Sequence, residues 1–299
     1  MLTFTYRAYG LNISSEIECP ELISADGAPD IHVRFGRVPE QLETPSAQGV
    51  LYQVSPQQFL LKPNHIARFL VTNGSDVLVE RMPEATDDDV RVFLLGSVFG
   101  ALLHQRGLLP MHASAIETRV GAVAFAGPVG LGKSTLAAAF HQRGYRILAD
   151  DVCAVSLSAH AAPLVTPAYP QLNLWADALD KLGGRNAGLR RTRSLTEKYG
   201  LPVTPQFSTS SLPLYAVYEL GSTNTDQISL SEVKGLAKIA FVKDNTYRLR
   251  YLKGMARREA YMRIVSAVAQ HIRAVRVARP DGAFMLDELV NQVENDFRL

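Results

Sequence analysis

The sequence is poor in cysteine. Cys19 and Cys153 are the only two in 299 residues, and they match no metal-ligand spacing. They fall in stretches expected to belong to different modules. This excludes a disulfide-stapled scaffold and points to a reducing, cytoplasmic compartment. Long hydrophobic runs are also missing. None approaches the roughly 20 apolar residues that span a bilayer. The start, Met1-Leu2-Thr3-Phe4-Thr5-Tyr6-Arg7, lacks the charged segment and apolar core of a signal peptide. No membrane partner is expected. An excess of one charge is missing too: 31 Lys and Arg face 29 Asp and Glu, a net +2. That argues against a broad nucleic-acid surface. Repeats and low-complexity tracts are absent. Hydrophobic residues at 47% and charged residues at 20% are ordinary for a soluble globular protein. The length fits one large or two modest domains.

What stands out is Gly127-Pro128-Val129-Gly130-Leu131-Gly132-Lys133-Ser134-Thr135, which fits G-x-x-x-x-G-K-[ST] without gaps. The apolar run Val120 to Ala126 precedes it and a helix-like run, Thr135 to Phe140, follows. The glycines therefore fall where a buried strand hands over to a helix. Gly127, Gly130 and Gly132 allow backbone N–H groups to approach phosphate oxygens with no Cβ in the way. The positive end of the following helix favours the same anion. Lys133 adds a full charge near the β- and γ-phosphates, and the Ser134 hydroxyl is placed to ligate Mg²⁺. Loop residues 127 to 135, Leu131 and Thr135 among them, are the candidate nucleotide contacts.

Residues 1–85 read as a β-rich module. Ile31–Phe35, Leu51–Val54, Gln58–Leu61, Ala67–Val71 and Asp76–Glu80 alternate apolar and polar residues between turn signals such as Thr72-Asn73-Gly74-Ser75. That is the pattern of hairpin-joined strands in a small antiparallel module, one that caps the rest or presents a substrate. Thr86-Asp87-Asp88-Asp89 marks a helix start. Val90, Phe93, Leu94, Val98, Leu102 and Leu103 then predict one bridging helix within residues 86–107. Residues 108–299 form the third part.

Leu108 to Ile116 reads as a strand carrying His112, fifteen residues before Gly127. The loop helix runs from Ser134 to Arg143 and stops at Gly144. Tyr145 to Ala149 is an apolar strand ending in Asp150-Asp151. Two carboxylates at a strand end, just after a phosphate-loop helix, suit a metal ligand and a base for an incoming hydroxyl. Further on, Pro163 to Asp180 reads as an extended stretch turning into a short helix. Trp175, the only tryptophan, is expected in the core. Asp177 is a weaker candidate ligand. The stretch from Gly183 to Lys198 is glycine-rich and then basic. It is either a solvated loop or a lid whose Arg190, Arg191, Arg193 or Lys198 meets the γ-phosphate or an acidic peptide. Arg248, Arg250, Arg257 and Arg258 are candidate phosphate contacts. Strands are expected at Leu214–Leu220, Gln227–Leu230 and Val275–Val277, and helices at 234–243, 257–273 and 286–297.

Gly127-x-x-Gly130-x-Gly132-Lys133-Ser134, followed by Arg143-Gly144-Tyr145 and Ala149-Asp150-Asp151, resembles the catalytic core of the HPr kinase/phosphatase family. The resemblance is strong over residues 108–155. It implies an α/β fold with a phosphate-loop core of the kind shared with ATP-dependent phosphoenolpyruvate carboxykinases, here preceded by a smaller β-rich module. It implies an ATP- and Mg²⁺-dependent serine kinase that forms a homo-oligomer and acts on a peptide or protein. By resemblance, Asp150 takes the proton from the substrate serine, Asp151 ligates Mg²⁺ with Ser134, and His112 lines the phosphate site. Lys133 holds the phosphates. The sequence departs from the family at Thr135, where a Glu is usual, and at Pro128-Val129. The family's second glycine-rich signature is not evident. The overall layout resembles, more loosely, the related kinases of ribosomal peptide pathways, including those that phosphorylate a serine in lasso-peptide precursors. Two rivals remain: a kinase of a small hydroxylated metabolite, and a nucleotide-binding regulator that transfers no phosphate.

Overall fold

In the computed structural model, residues 2–183, 188–192, 196–281 and 285–298 are described. Arg193, Gly282 and the 185–187 part of the basic stretch lie outside them. No helix among the described residues is long and apolar enough to cross a membrane.

The protein is a mixed α/β structure. A nine-stranded sheet lies within residues 4–81. Its strands alternate inward and outward, and Phe59, Phe69, Val71, Val77 and Val79 are buried in the core. Hairpins join the strands from Tyr52–Val54 to Asp76–Arg81, as the alternation predicts. The expected all-antiparallel module needs one correction. Ile31–Phe35 runs parallel both to Leu11–Ser15 and to Asp76–Arg81. Parallel neighbours need a long crossover, so their pairing leaves no trace in local turn spacing.

The bridging helix begins at Thr86, whose Oγ1 accepts from the Asp89 amide at 3.2 Å while Asp89 Oδ2 accepts from the Thr86 amide at 3.3 Å. This reciprocal cap explains part of the acidic triplet. The helix is not uniform: Asp87–Phe93 and Phe99–Gln105 are α-helical, and Leu94–Val98 between them is a π segment. Such a turn shifts the helix face and is frequent beside functional sites.

The second sheet holds the phosphate-loop strand, Gly121–Ala126, which is buried at every residue. It pairs in parallel with Leu212–Thr223, which pairs in parallel with Arg273–Pro280. On its other side lies Ala113–Thr118, antiparallel, and beyond that Ile147–Ala149. Burial on both faces explains the continuous apolar runs. Helices Lys133–Gln142 and Leu286–Arg298 cover one face. Phe140 stacks on Phe125 with ring centroids 5.2 Å apart and meets Phe297 at 5.9 Å. The other face shares one continuous apolar cluster with the bridging helix and the first sheet, running from Tyr6 and Phe59 through Val98 and Phe99 to Val268 and Ala274. Tyr9 ties the ends together: its amide donates to Pro167 O at 2.9 Å and its ring meets Phe99 and Tyr169 edge-on. The helices expected at 234–243 and 257–273 occupy Ala237–Asp244 and Arg258–His271, and a short 3₁₀ turn fills Leu249–Leu252.

Candidate active site

The loop from Gly127 to Gly132 connects the buried strand to the helix Lys133–Gln142. Gly127 has φ 126°, and a Cβ there would stand 2.6 Å from the Leu220 carbonyl oxygen, so only glycine fits between the two strands. Gly132 caps the helix at φ 80°. The Arg279 guanidinium lies beside it, its nitrogens 3.8 and 3.9 Å from where a Cβ would be. The buried Lys133 ammonium donates to the carbonyls of Gly127 at 2.9 Å and Pro128 at 3.0 Å. Burial lowers its pKa, partly offset by Asp151 and Asp150. A phosphate would add further counter-charge to this partly desolvated ammonium, whose hydrogen bonds are to neutral carbonyls.

The two carboxylates have different surroundings. Asp150 is 2% exposed. Its Oδ1 accepts from Ser114 Oγ at 2.6 Å and from Ser134 Oγ at 2.7 Å, and its Oδ2 accepts from the Asn173 amide at 2.7 Å. Three strands and the loop helix therefore converge on one carboxylate. Asp151 stands at the centre of a three-residue turn closed by the Val152 amide donating to Asp150 O at 2.8 Å, with its own φ at 66°. A non-glycine residue in that region is strained and turns its side chain away from the strand direction. The side chain is half-buried, and Asp151 Oδ1 lies 3.4 Å from His112 Nε2. Burial pushes the Asp151 carboxyl up, but the His112 hydrogen bond and the charges of Lys198 and Lys133 outweigh it and hold the pKa below the ordinary value.

His112 separates the strands Leu109–Met111 and Ala113–Thr118. Its amide donates to Asn245 O at 2.9 Å, and its ring meets Tyr247 edge-on at 5.6 Å. The structure thus brings His112, Lys133, Ser134, Thr135, Gly130, Gly132 and Asp151 to one small pocket of about 150 Å³. Asp150 lies beneath it through Ser134, and Leu131 turns partly toward the core under the loop helix. Among the described residues no three His, Cys, Asp or Glu cluster as a metal cage. Mg²⁺ does not need one, since it keeps waters and is held by one or two protein oxygens plus phosphate. Ser134 Oγ and Asp150 Oδ1, hard oxygens 2.7 Å apart beside Lys133, fit that donor set.

A second cavity of about 440 Å³ adjoins the first, sharing Val129, Asp151, Asn173, Trp175 and Lys198 with it. Trp175 is 46% exposed on its wall, not in the core as expected. It ends the strand Gln171–Trp175, whose inward positions are Leu172 and Leu174, so alternation turns it outward. Within the basic stretch, Arg190–Arg191 pairs antiparallel with Lys198–Pro202. Arg191, Lys198 and Arg248 line the larger cavity. Arg250 instead lies over the Tyr52 and Tyr251 rings, and Asp177, though at the pocket edge, faces Lys181 at 3.6 Å. Ser114, Asn173 and Arg279 are site neighbours that the motif does not contain. Ser114 lies two residues past His112, but nothing local marks it; Arg279 comes from the far end of the second sheet.

No family profile matches the sequence, and no curated protein matches it. Among solved structures, the chain is similar to the Hpr(Ser) kinase/phosphatase from Coxiella burnetii, at 12% identity and a TM-score of 0.35. The match covers 63% of this chain and 95% of that one.

Proposed function

We propose that the protein is an ATP- and Mg²⁺-dependent kinase that transfers the γ-phosphoryl group to a serine hydroxyl of a peptide or protein. The observation that carries this reading is the division of labour between adjacent carboxylates. Asp150 is bound to the phosphate-loop serine, while Asp151, paired with His112, faces the cavity beyond the loop. A nucleotide-binding protein that transferred nothing would have no use for the second arrangement.

Roles follow from these contacts, and they exchange the two aspartates relative to the family-based expectation. Asp150 orients Ser134, and the two oxygens would hold Mg²⁺, which when bound offsets charge on the β- and γ-phosphates. Loop amides and Lys133 hold the phosphates, the ammonium exchanging its bonds to Gly127 and Pro128 for phosphate oxygens. Asp150 already accepts three hydrogen bonds and is 2% exposed, so a substrate hydroxyl has little access to it. Asp151 is ionised at neutral pH and open to the cavity. It takes the proton as the serine Oγ–phosphorus bond forms and the bond to the ADP oxygen breaks. His112 orients Asp151. The acceptor we favour is the terminal region of a precursor peptide, and the setting we favour is the cytoplasm, where Cys19 and Cys153 stay as the free, buried thiols seen here.

The test is mass spectrometry of candidate peptides incubated with ATP and Mg²⁺, using Asp150→Asn and Asp151→Asn. General-base loss typically costs a hundredfold or more, so Asp151→Asn should bind nucleotide normally and label at under about 1% of the wild-type rate. Asp150→Asn should lose the Mg²⁺-dependent part of nucleotide affinity. Full labelling by Asp151→Asn would return the base role to Asp150. Tight ATP binding with no phosphorylated product, across peptides and a metabolite panel, would leave a regulator.

A further inference from the structure

The larger cavity is not made by the phosphate-loop core alone. Glu21 comes from the first 85 residues, and Asp88, Arg91, Val92, Leu95 and Gly96 from the bridging helix. The opposite wall carries Asp151, Trp175, Arg191, Lys198 and Arg248. The π segment Leu94–Val98 places Leu95 and Gly96 on this surface. The N-terminal module, which carries no chemistry of its own, is therefore one side of a site whose other side holds the proposed base.

Charge tells what this site would accept. On the helix wall the carboxylates are answered from within. Arg91, buried, donates from Nε to Glu21 Oε1 at 3.1 Å, from Nη1 to Glu18 O at 3.2 Å, and from Nη2 to Asp88. Arg190 adds a second cation 3.6 Å from Asp88. Asp151 has His112. On the opposite wall Lys198 borders both cavities. Arg191 and Arg248 border only the larger one. Each lies over an aromatic ring, Arg191 over Tyr199 at 5.9 Å and Arg248 over Tyr247 at 5.6 Å, and neither has an ion pair with a carboxylate among the described residues. Tyr247 is the ring that meets His112. Two guanidiniums that form no ion pair with a carboxylate among the described residues thus line the cavity beside Asp151, and a guanidinium fork matches a carboxylate.

We infer that this cavity is the acceptor site, built jointly by the N-terminal module and the core, and that it takes a peptide segment with an acidic residue next to the serine. The inference rests on the kinase reading for what happens to the bound peptide, but not for the binding itself.

Trp175 allows the two to be separated. It is the only tryptophan and borders both cavities, so its fluorescence reports binding without a label. Acetylated, amidated peptides differing only in the residues beside serine, Asp, Ala or Lys, would be titrated into the full chain with and without a non-hydrolysable ATP analogue. The same peptides would then be scored for transfer from ATP. A charge-assisted hydrogen bond is worth roughly tenfold or more in affinity. The Asp-flanked peptide should bind about tenfold tighter than the Ala-flanked one, with the Lys-flanked one weakest. Arg191→Gln and Arg248→Gln change exposed side chains, and each should shrink that preference while leaving the urea midpoint unchanged. Equal binding of all three peptides overturns the inference even if they are phosphorylated. So does preference for the Lys-flanked peptide, which would point to Glu21, whose Oε2 has no hydrogen-bond partner. Selective binding of the Asp-flanked peptide without transfer supports the site and sinks the kinase reading.

Discussion

Tyr247 lies across Gly100 at a separation that no side chain on the helix would permit. A Cβ on Gly100 would stand 2.7 Å from one carbon of the Tyr247 ring and 2.8 Å from the next. Tyr247 in turn carries His112 against its edge, and His112 pairs with Asp151. The bridging helix is thereby linked to the proposed base through one ring. For Gly100→Ala two effects compete. Helix propensity favours alanine by roughly 0.5–1 kcal/mol. Overpacking a buried contact costs about 1–3 kcal/mol. The ring is 7% exposed and its amide is tied to Pro110 O at 2.8 Å, so it has little room to retreat. Overpacking wins: the urea midpoint should fall by the equivalent of about 1–2 kcal/mol. Transfer should weaken beyond what stability loss explains, because His112 moves with the ring.

The backbone of the same tyrosine connects the fold to pH. His104, 1% exposed, has Nε2 2.9 Å from Tyr247 O, so Nε2 carries the proton and donates, while buried Nδ1 has no partner. Burial pushes its pKa down from 6.5 to about 4. A second proton would put a charge on an atom with no acceptor. The unfolded chain binds that proton first, at about pH 6.5. Stability is therefore fully present above that pH and declines as pH falls from about 6.5 toward 4. The loss over the window is on the order of 3 kcal/mol. Chemical denaturation at pH 7 and pH 5 should show the decline, and His104→Gln should flatten it. An unchanged slope in the variant would clear His104 of the effect.

The helix start makes a separate stability prediction. Thr86 Oγ1 both accepts from the Asp89 amide at 3.2 Å and donates to Asp89 Oδ2 at 2.6 Å. Asp89 is buried, so losing these partners exposes it to a desolvation cost that a surface cap would not have. Thr86→Ala should lower stability by about 1–2 kcal/mol, and Thr86→Ser should recover most of it. Equal effects of the two substitutions in thermal unfolding would assign the loss to the threonine methyl instead of the hydroxyl.

These contacts show where the sequence is readable. Strand, loop and helix around Gly127–Thr135 follow from contiguous residues, as do the Gly144 stop, with φ 92°, and the Thr86 cap. Asp150 and Asp151 are different. As neighbours in sequence they are interchangeable; their surroundings differ because Ser114 and the Asn173 amide arrive from other strands and because Asp151 occupies a positive-φ turn. No period or propensity encodes that. Trp175 reads as core from sequence because a lone tryptophan usually is, and only the register of its strand turns it to the cavity. The parallel pairs of Ile31–Phe35 were hidden for a similar reason, since their partners are far apart in the chain.

Arg279 tests whether such an arrival matters. It is half-buried at the end of Arg273–Pro280, the strand that pairs in parallel with Leu212–Thr223, itself the parallel neighbour of the loop strand. Parallel strands end on the same side of a sheet, so the far end of this strand comes level with the loop. The Arg279 guanidinium accordingly lies by Gly132, on the side where a nucleotide's terminal phosphates would be. A cation held there by the strand needs no reordering when the phosphate arrives, and a charge-assisted contact is worth about 1.5–3 kcal/mol. Arg279→Gln should weaken ATP binding by roughly tenfold or more and ADP binding by much less. Calorimetric titration of both nucleotides at two salt concentrations would measure this. Since a partly buried contact is screened less than an exposed one, the difference should persist at the higher salt. An equal loss for ATP and ADP would place Arg279 nearer the β-phosphate. No loss for either would mean that its position over Gly132 serves only to pack the loop.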